Sequence, residues 1–224
     1  MFNLLHCPRI ARVCLVLAAS VPVLVRADDC LTVGNFSLGA DEKGAPTGWQ
    51  LAEKSGHATF SLAKDGAVPA LWLRSTNTSF SFQRQVSADL KLYPVLTWKW
   101  KVTDLPKGGD FRKSGTDDQA AQLFVAFSRT RSIVYLWDTT APQGLMADAN
   151  SPPFVFIKVV VVRSGAADLG KWLTERRNVY EDYQRLFGRT DKPPIVSGMR
   201  MQINTQHTRS SGECAFADLM FAKK

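Results

Sequence analysis

The sequence predicts an all-β fold: a two-sheet, jelly-roll-like β-sandwich with one late α-helix packed on it. Three observations support this prediction. Apolar and polar residues alternate with a period of two in many segments, which is typical of strands with one buried face. Turns that contain glycine, such as Asp65-Gly66, separate these segments. A single stretch, late in the chain, has the spacing of an amphipathic helix.

The first 27 residues differ in kind from the rest of the chain. Two arginines precede an uncharged run, residues 13–25, and Ala27 offers a small residue for cleavage. The run is shorter than the roughly 20 residues that span a bilayer, and Pro22 interrupts it. We therefore predict a signal peptide at 1–27 and a single domain at 28–224. This implies a periplasmic or extracellular location, with the membrane involved only during export.

The net charge of the chain limits the kinds of partner that we expect it to bind. The formal charge is +8, and cleavage would remove three arginines and no acid, leaving +5. A modestly basic domain attracts acidic surfaces and polysaccharides. The sequence has no basic helix or aromatic RNA-binding motif, so we expect no nucleic-acid partner. Residues 165–171 have the glycine and lysine spacing of a nucleotide-binding loop, but Trp172 replaces the required hydroxyl, so we expect no nucleotide.

Two cysteines, Cys30 and Cys214, follow the signal peptide, one near each end of the domain. A pair of cysteines in an exported chain predicts a single disulfide. Closing so long a loop would stabilise the fold by up to about 5 kcal/mol. The bridge requires the first and last strands to be neighbours.

Each predicted strand places apolar residues at every second position. The clearest case alternates two tryptophans with two lysines. The apolar sets, in chain order, are Ala58, Phe60 and Leu62; Phe80 and Phe82; Leu96, Trp98, Trp100 and Val102; Leu123, Val125 and Phe127; Ile133, Tyr135 and Trp137; Met199, Met201 and Ile203; and Ala215, Ala217, Leu219 and Phe221.

One strand and one helix depart from this alternation. Residues Phe154–Val162 are apolar at every position except Lys158, which indicates a strand covered on both faces. From Leu169 to Phe187, large side chains recur at helical spacing, and Gly188 provides a stop signal. We expect this helix to cover that strand.

Long loops and large aromatic residues are the first places to look for a binding site. Residues 103–116 and 139–153 are irregular, and long loops often carry function. Flat aromatic rings stack on sugars, although they more often belong to the core. Trp98 and Trp100 share a face with core residues, so we assign them to the core. Trp137 ends a strand beside a long loop, so we predict that it is exposed and binds ligand.

The motifs of common catalytic and metal sites are missing. The sequence has no Gly-x-Ser-x-Gly nucleophile elbow and no zinc motif, so no catalytic residue is predicted. Asp117 and Asp118 follow a glycine-containing loop and open a strand, where they suit ligand binding, a calcium ion or turn formation. Calcium would need further oxygen ligands that the sequence does not identify, so no cofactor is predicted.

The start of the predicted helix holds three more candidates for ligand binding. Arg177, Asn178 and Asp182 offer a cation, an amide and a carboxylate within six residues. A structural salt bridge between Arg177 and Asp182 explains two of them equally well. Both interpretations stay open at this point.

Four segments together resemble a bacterial exported family, domain of unknown function 3047. They are Leu-Thr-Trp-Lys-Trp-Lys-Val at 96–102, Asp-Asp-Gln-Ala-Ala-Gln-Leu-Phe-Val-Ala-Phe at 117–127, Ile-Val-Tyr-Leu-Trp at 133–137, and Arg-Asn-Val-Tyr-Glu-Asp-Tyr-Gln-Arg-Leu-Phe-Gly at 177–188. The resemblance runs from about Asn35 to Phe221. It implies a bacterial envelope or extracellular location and a sandwich similar to galactose-binding-like domains. No established reaction comes with it.

The chain departs from the family pattern near its end. The family pattern resembles Asp-x-Asp-Asn-Thr, followed by Gly-Asp in the next strand. Here Asn204 and Gln206 replace two acids, and Ala217 precedes Asp218. If those acids hold a cation in relatives, this chain has lost or altered that site.

The sequence therefore favours an exported, non-catalytic module that binds carbohydrate or another envelope polymer. One alternative is a polysaccharide hydrolase that uses paired carboxylates. Another is a structural envelope protein that binds a second protein through an exposed sheet edge. The acids available to a hydrolase are Asp110, Asp117, Asp118, Glu181 and Asp182.

Overall fold

The computed structural model describes residues 29–188 and 194–224, so the predicted signal peptide at 1–27 lies outside the described residues. Thirteen strands, one α-helix and a short 3₁₀ helix (Ser114–Thr116) make up the regular structure of this part of the chain. The elements are β1 (Cys30–Gly34), β2 (Gln50–Ser55), β3 (Thr59–Asp65), β4 (Val68–Thr76), β5 (Ser79–Asp89), β6 (Val95–Asp104), β7 (Ala121–Ser128), β8 (Arg131–Asp138), β9 (Met146–Asp148), β10 (Phe156–Ser164), β11 (Leu173–Asn178), α1 (Val179–Phe187), β12 (Ile195–Asn204) and β13 (Ser211–Ala222). No helix of these residues is long and apolar enough to cross a membrane.

The strands form two sheets. A six-stranded sheet has the order β11-β6-β13-β4-β3, with β1 paired to β13. A seven-stranded sheet has the order β2-β5-β12-β7-β8-β10-β9. All pairs are antiparallel except β8 and β10. The predicted all-β, two-sheet sandwich with one late helix is confirmed.

The main core lies between the sheets, because alternate side chains of both sheets project towards each other. Aromatic rings dominate it: Trp98 and Trp100 meet edge to face at 5.4 Å. Both tryptophans are fully buried, as predicted. Met199, Met201 and Ile203 of β12 and Ile133 and Tyr135 of β8 also belong to this core.

The last strand does not keep one face throughout. Asp218 has a positive φ of 52°, and the pairing of β13 with β6 shifts between Ala217 and Met220. This bulge reverses the alternation, because the extra residue turns the following side chains to the opposite face. Ala215 and Ala217 therefore pack in an outer cluster, whereas Leu219 joins the main core. The prediction that Ala215, Ala217, Leu219 and Phe221 share one face is therefore wrong.

The late helix is shorter than predicted. Residues 173–178 form strand β11, which pairs with β6 along its whole length, so the helix begins only at Val179. Pairing with a sheet edge satisfies these backbone groups at once, and the Glu175 carboxylate accepts a hydrogen bond from the Trp100 indole at 3.1 Å. The predicted stop is confirmed: Gly188 ends the helix with a φ of 61°.

Strand β10 is covered on both faces, as its apolar run predicts. Val159, Val160 and Val161 are buried in succession. Val160 faces the main core, and its two neighbours face an outer cluster built from loop residues. The predicted cover is wrong: loop side chains such as Phe111 and Ala141 pack on the outer face, not the helix.

The segment with nucleotide-loop spacing joins two strands. Residues 165–172 connect β10 to β11, so the helix that such a loop opens does not follow. Lys171 Nζ instead contacts Asp168 Oδ1 at 3.1 Å. The Gly165 carbonyl accepts a hydrogen bond from the Trp137 indole at 3.0 Å.

The predicted disulfide between Cys30 and Cys214 is wrong, and both thiols are free. The first and last strands are neighbours, as the disulfide would require, because β1 is hydrogen-bonded to β13. The register, however, places Cys30 opposite Ala222, eight residues along β13 from Cys214. At about 3.4 Å per residue that separation is roughly 27 Å, against the Cα distance of about 6 Å that a disulfide needs.

We expect Cys214 to resist alkylation until the protein unfolds. Its side chain is fully buried, and burial raises the pKa of its thiol well above the ordinary value, so little reactive thiolate forms. Treatment with iodoacetamide, with and without denaturant, followed by peptide mapping, measures this. A cross-linked peptide containing Cys30 and Cys214 from the unreduced protein would contradict the register of β1 on β13.

Candidate functional site

A groove crosses the outer face of the seven-stranded sheet. Its floor consists of the side chains that alternate with the core residues of the same strands. One row runs Gln50, Gln83, Arg200, Phe124, Val134 and Val159 across β2, β5, β12, β7, β8 and β10. The next row runs Ala52, Ser81, Gln202, Gln122, Leu136 and Val161.

These rows divide the face into two halves. The polar half, on β2, β5 and β12, carries glutamine and arginine side chains. The apolar half lies on β7, β8 and β10. The connecting segments at 105–120 and 139–155 cover it, and their residues Phe111 and Ala141 pack against it. Because the loops cover only the apolar half, they form a wall beside the polar half and leave it open to solvent.

The groove has two sections that share Phe124, Ile157 and Arg200. The larger section has a volume of about 830 Å³ and extends over the polar half, past Gln83 and Gln85. The smaller section, of about 190 Å³, leads to Asp117 and His207 at the end of the sheet. Together they form an elongated channel across several strands rather than a closed cavity.

Arg200 and Phe124 stand where the two sections meet. The Arg200 guanidinium carbon lies 3.8 Å from the centre of the Phe124 ring, which is the geometry of a cation–π contact. Its Nε is buried and has no hydrogen-bond partner among the described residues. Burial lowers the pKa of Arg200 below its ordinary value, since the charge has left water without an acceptor to replace it.

Asp118 holds the far end of the groove in place. Its carboxylate is fully buried and accepts hydrogen bonds from the Thr208 amide at 2.6 Å and the Thr208 hydroxyl at 2.7 Å. It also accepts a bond from Asn204 Nδ2 at 3.0 Å. These contacts tie the turn after β12 to the start of β7, and so place Gln206 and His207 at the groove.

Asn204 joins the same network with both ends of its amide. Its Oδ1 accepts from the Gln119 amide at 3.1 Å and from Gln122 Nε2, while its Nδ2 donates to the Asp117 carbonyl at 2.6 Å. Asn204 is therefore a structural link here, although the sequence comparison suggested a former cation ligand. Among the described residues, no group of three or more His, Cys, Asp or Glu side chains is placed to hold a metal ion.

Asp117 is the one predicted site residue that lines the groove. Burial raises the pKa of its carboxyl, and the bond from Gln119 Nε2 at 3.0 Å opposes that effect only in part. The carboxyl thus accepts a proton more readily than an exposed aspartate does. The smaller section of the groove thus contains a carboxyl group, a histidine and six side-chain amides.

The chain matches the family described as "Protein of unknown function (DUF3047)" over residues 47–220. It belongs to this family. The match confirms the resemblance and runs from before β2 into β13, including every strand of the groove floor. A comparison of this DUF3047 sequence with curated proteins finds no match.

Several solved structures are similar to this chain at low sequence identity. One is the xyloglucanase domain of the type three effector NopAA from Sinorhizobium fredii, in complex with cellobiose, at 8% identity and a TM-score of 0.48, covering 79% of this chain and 94% of that one. Another is the family 11 carbohydrate-binding module from Clostridium thermocellum, in complex with a mixed-linked tetrasaccharide, at 10% identity and a TM-score of 0.45, covering 88% and 98%. A third is endoglucanase 3 of family GH12 from Trichoderma harzianum, at 7% identity and a TM-score of 0.41, covering 80% and 99%.

The prediction that Trp137 is exposed is wrong. Its side chain is 1% exposed, on the inner face of β8, with its ring 5.8 Å from that of Trp100. The alternation that buries Ile133 and Tyr135 continues to the last residue of the strand, so Trp137 shares their face. In this DUF3047 chain it is a core residue with no surface for a ligand.

Arg177, Asn178 and Asp182 lie apart from the groove, where β11 meets α1. The Asp182 carboxylate accepts from Arg177 Nε at 3.0 Å and Nη2 at 2.5 Å. It also accepts from the Tyr135 hydroxyl at 2.9 Å. Asn178 begins the helix by accepting a bond from the Glu181 amide at 3.2 Å. Structural contacts thus explain all three side chains.

Sequence reasoning missed most of the groove. The missed residues are Gln50, Gln83, Gln85, Gln122, Phe124, Arg200, Gln202 and Gln206. A usable signal was present: the polar positions that alternate with the core on β5 and β12 are mainly Ser, Gln, Asn and Arg, rather than the Lys and Glu of an ordinary solvated face.

Proposed function

We propose that this DUF3047 protein is an exported, non-catalytic module and that its groove binds an extended carbohydrate chain. The observation that supports the proposal is the row of glutamine side chains beside an aromatic ring on one open sheet face. Gln50 and Gln83 are exposed in one row, Gln85 is exposed two residues further along β5, and Gln202 lies in the adjacent row.

Glutamine amides suit sugar hydroxyls for a simple chemical reason. Each amide both donates and accepts hydrogen bonds, and so does each hydroxyl. Amides spaced along neighbouring strands can therefore bond successive hydroxyls of a polymer, whichever way those hydroxyls turn. Phe124 adds an apolar surface at the middle of the groove, where it is 8% exposed and partly covered by Arg200.

The lining favours binding over hydrolysis. A glycosidase needs two carboxyl groups about 5 to 9.5 Å apart on either side of the bond that breaks. Among the described residues that line the two sections, Asp117 is the only carboxylate. Its neighbour Asp118 is fully buried and already holds the turn after β12. The second group of such a pair has no candidate in the described groove.

Binding to a panel of soluble neutral and acidic polysaccharides, by affinity electrophoresis and calorimetry, tests the proposal. We expect selective, saturable binding by the full protein. Gln83→Ala and Gln202→Ala should each weaken it roughly tenfold, since each loses one or two hydrogen bonds to the polymer.

Gln143→Ala is the matched control, because Gln143 is an exposed glutamine in the loop before β9 and does not line the groove. It should bind as the unmodified protein does. A folded protein that binds nothing on the panel would refute the proposed function. Release of shorter oligosaccharides during incubation would instead support the hydrolase.

A further inference from the structure

We infer that the polymer bound in the groove is a polyuronate, and that Arg200 takes one of its carboxylates. This inference rests on the proposed carbohydrate-binding function and narrows it to one chemical class. Four observations support it: the position of Arg200 in the groove, its contacts, its lack of an acid partner among the described residues, and the charges around it.

The groove is cationic along its length. Arg129 and Arg200 line the larger section, and no described residue that lines it carries a carboxylate. The Arg84 side chain lies on the opposite face of β5, where its guanidinium donates to the Val33 carbonyl at 2.6 Å. The smaller section adds Lys54 and one acid, Asp117. A channel lined mainly by one sign of charge attracts ligands of the opposite sign and concentrates them near its floor.

Arg200 differs from Arg163 and Arg177 in having no acid partner among the described residues. Arg163 forms an ion pair with Glu175 at 2.7 Å, and Arg177 forms one with Asp182 at 2.5 Å. Across residues 29–188 and 194–224, no ion pair of Arg200 with a carboxylate is found. The fold therefore leaves Arg200 on the floor of the groove with a buried Nε that has no hydrogen-bond partner among the described residues.

The Phe124 ring presents Arg200 to the groove. The guanidinium carbon lies 3.8 Å from the ring centre, so the ring covers one side of the guanidinium and leaves its N–H groups as the part able to bind a ligand. A carboxylate matches that edge, since its two oxygens accept two parallel N–H bonds. The residues paired on either side of Arg200 are Gln83 and Phe124, so sugar hydroxyls next to that carboxylate would meet an amide.

Calorimetry with matched polymers tests the inference. The probes are polygalacturonate, alginate and hyaluronate, each compared with its carboxyl-reduced, neutral form, with dextran sulfate as a non-carboxylate polyanion. We expect at least one polyuronate to bind ten to a hundred times more tightly than its reduced form, because a bond to a charged group is stronger than one to a neutral group. Raising the salt concentration should shrink that difference.

Arg200→Met should remove the preference while keeping an apolar side chain on Phe124. The variant should bind the acid and reduced polymers equally, at close to the affinity of the unmodified protein for the neutral form. Arg131→Met is the control: Arg131 stacks on Phe187 at 5.3 Å and also has an unpartnered Nε, but does not line the groove. It should keep the full preference. Thermal melting of each variant reports on folding.

Three outcomes would overturn the inference in different ways. Equal binding of acid and reduced polymers by the unmodified protein refutes polyuronate recognition and leaves carbohydrate binding intact. Dextran sulfate binding as tightly as any polyuronate, with loss on Arg200→Met, refutes the carboxylate and leaves a general anion site. No binding of any acidic or neutral polymer by the folded protein refutes the proposed function together with the inference.

Discussion

Trp137→Ala should lower the free energy of unfolding by about 3–5 kcal/mol, the usual cost of emptying a large aromatic site in a core. The ring is 1% exposed and packs against Trp100 between the two sheets. The indole N–H also donates to the Gly165 carbonyl at 3.0 Å, so the substitution leaves a partly buried acceptor without its partner. Urea denaturation monitored by far-UV circular dichroism measures the change.

Trp137→Phe separates packing from hydrogen bonding. Phenylalanine keeps much of the ring but loses the N–H, so we expect a loss of only about 1–2 kcal/mol. In both variants the folded fraction should bind polysaccharide as the unmodified protein does, because Trp137 faces away from the groove. Weaker binding with unchanged stability would mean that the ring reaches a ligand, contrary to its position on β8.

Asp182→Ala should cost about 3 kcal/mol of stability, because it leaves a charge and a hydroxyl without their shared acceptor. The carboxylate bonds both Arg177 and the fully buried Tyr135 hydroxyl. Since the Arg177 side chain is 31% exposed, water restores part of what it loses, which places the cost at the lower end for a buried pair. The same urea titration measures this.

Lys171→Gln is the comparison for Asp182→Ala. Lys171 pairs with Asp168 at the surface, with 62% of its side chain exposed, so its removal should change stability by less than about 0.5 kcal/mol. Both variants should bind polymer normally, since neither residue lines the groove. A loss of affinity in folded Asp182→Ala would restore the start of α1 as a binding site and weaken the case for the groove.

Much of the fold could be predicted from the sequence, because strand formation leaves a local trace. A period of two along residues 96–102 is enough to indicate a strand and to place Trp98 and Trp100 on one face. The unbroken apolar run at Val159 to Val161 likewise indicated a strand covered on both sides. These patterns indicate which residues are buried, but they do not specify which other part of the chain buries them.

The predictions were wrong where pairing with another strand determined the local structure. Residues 173–178 fit a helical spacing, but the free edge of β6 was available and drew them into the sheet. One residue with positive φ, Asp218, reversed the faces of the last strand. Cys30 and Cys214 do lie on neighbouring strands, yet the register of that pair keeps them far apart.

The candidate site was likewise predictable from the sequence only in part. Alternation in the sequence was sufficient to place Gln83, Arg200 and Gln202 opposite the core, because successive side chains of a strand must point to opposite faces. It could not show that β5, β12 and β7 lie side by side, that two loops cover only half of their common face, or that Phe124 lies under Arg200. Those relations join residues far apart in the sequence, as with Phe124 and Arg200, which are 76 positions apart, and they depend on strand order and register. Both are set by the packing of the whole sandwich and leave no trace in any single stretch of the chain.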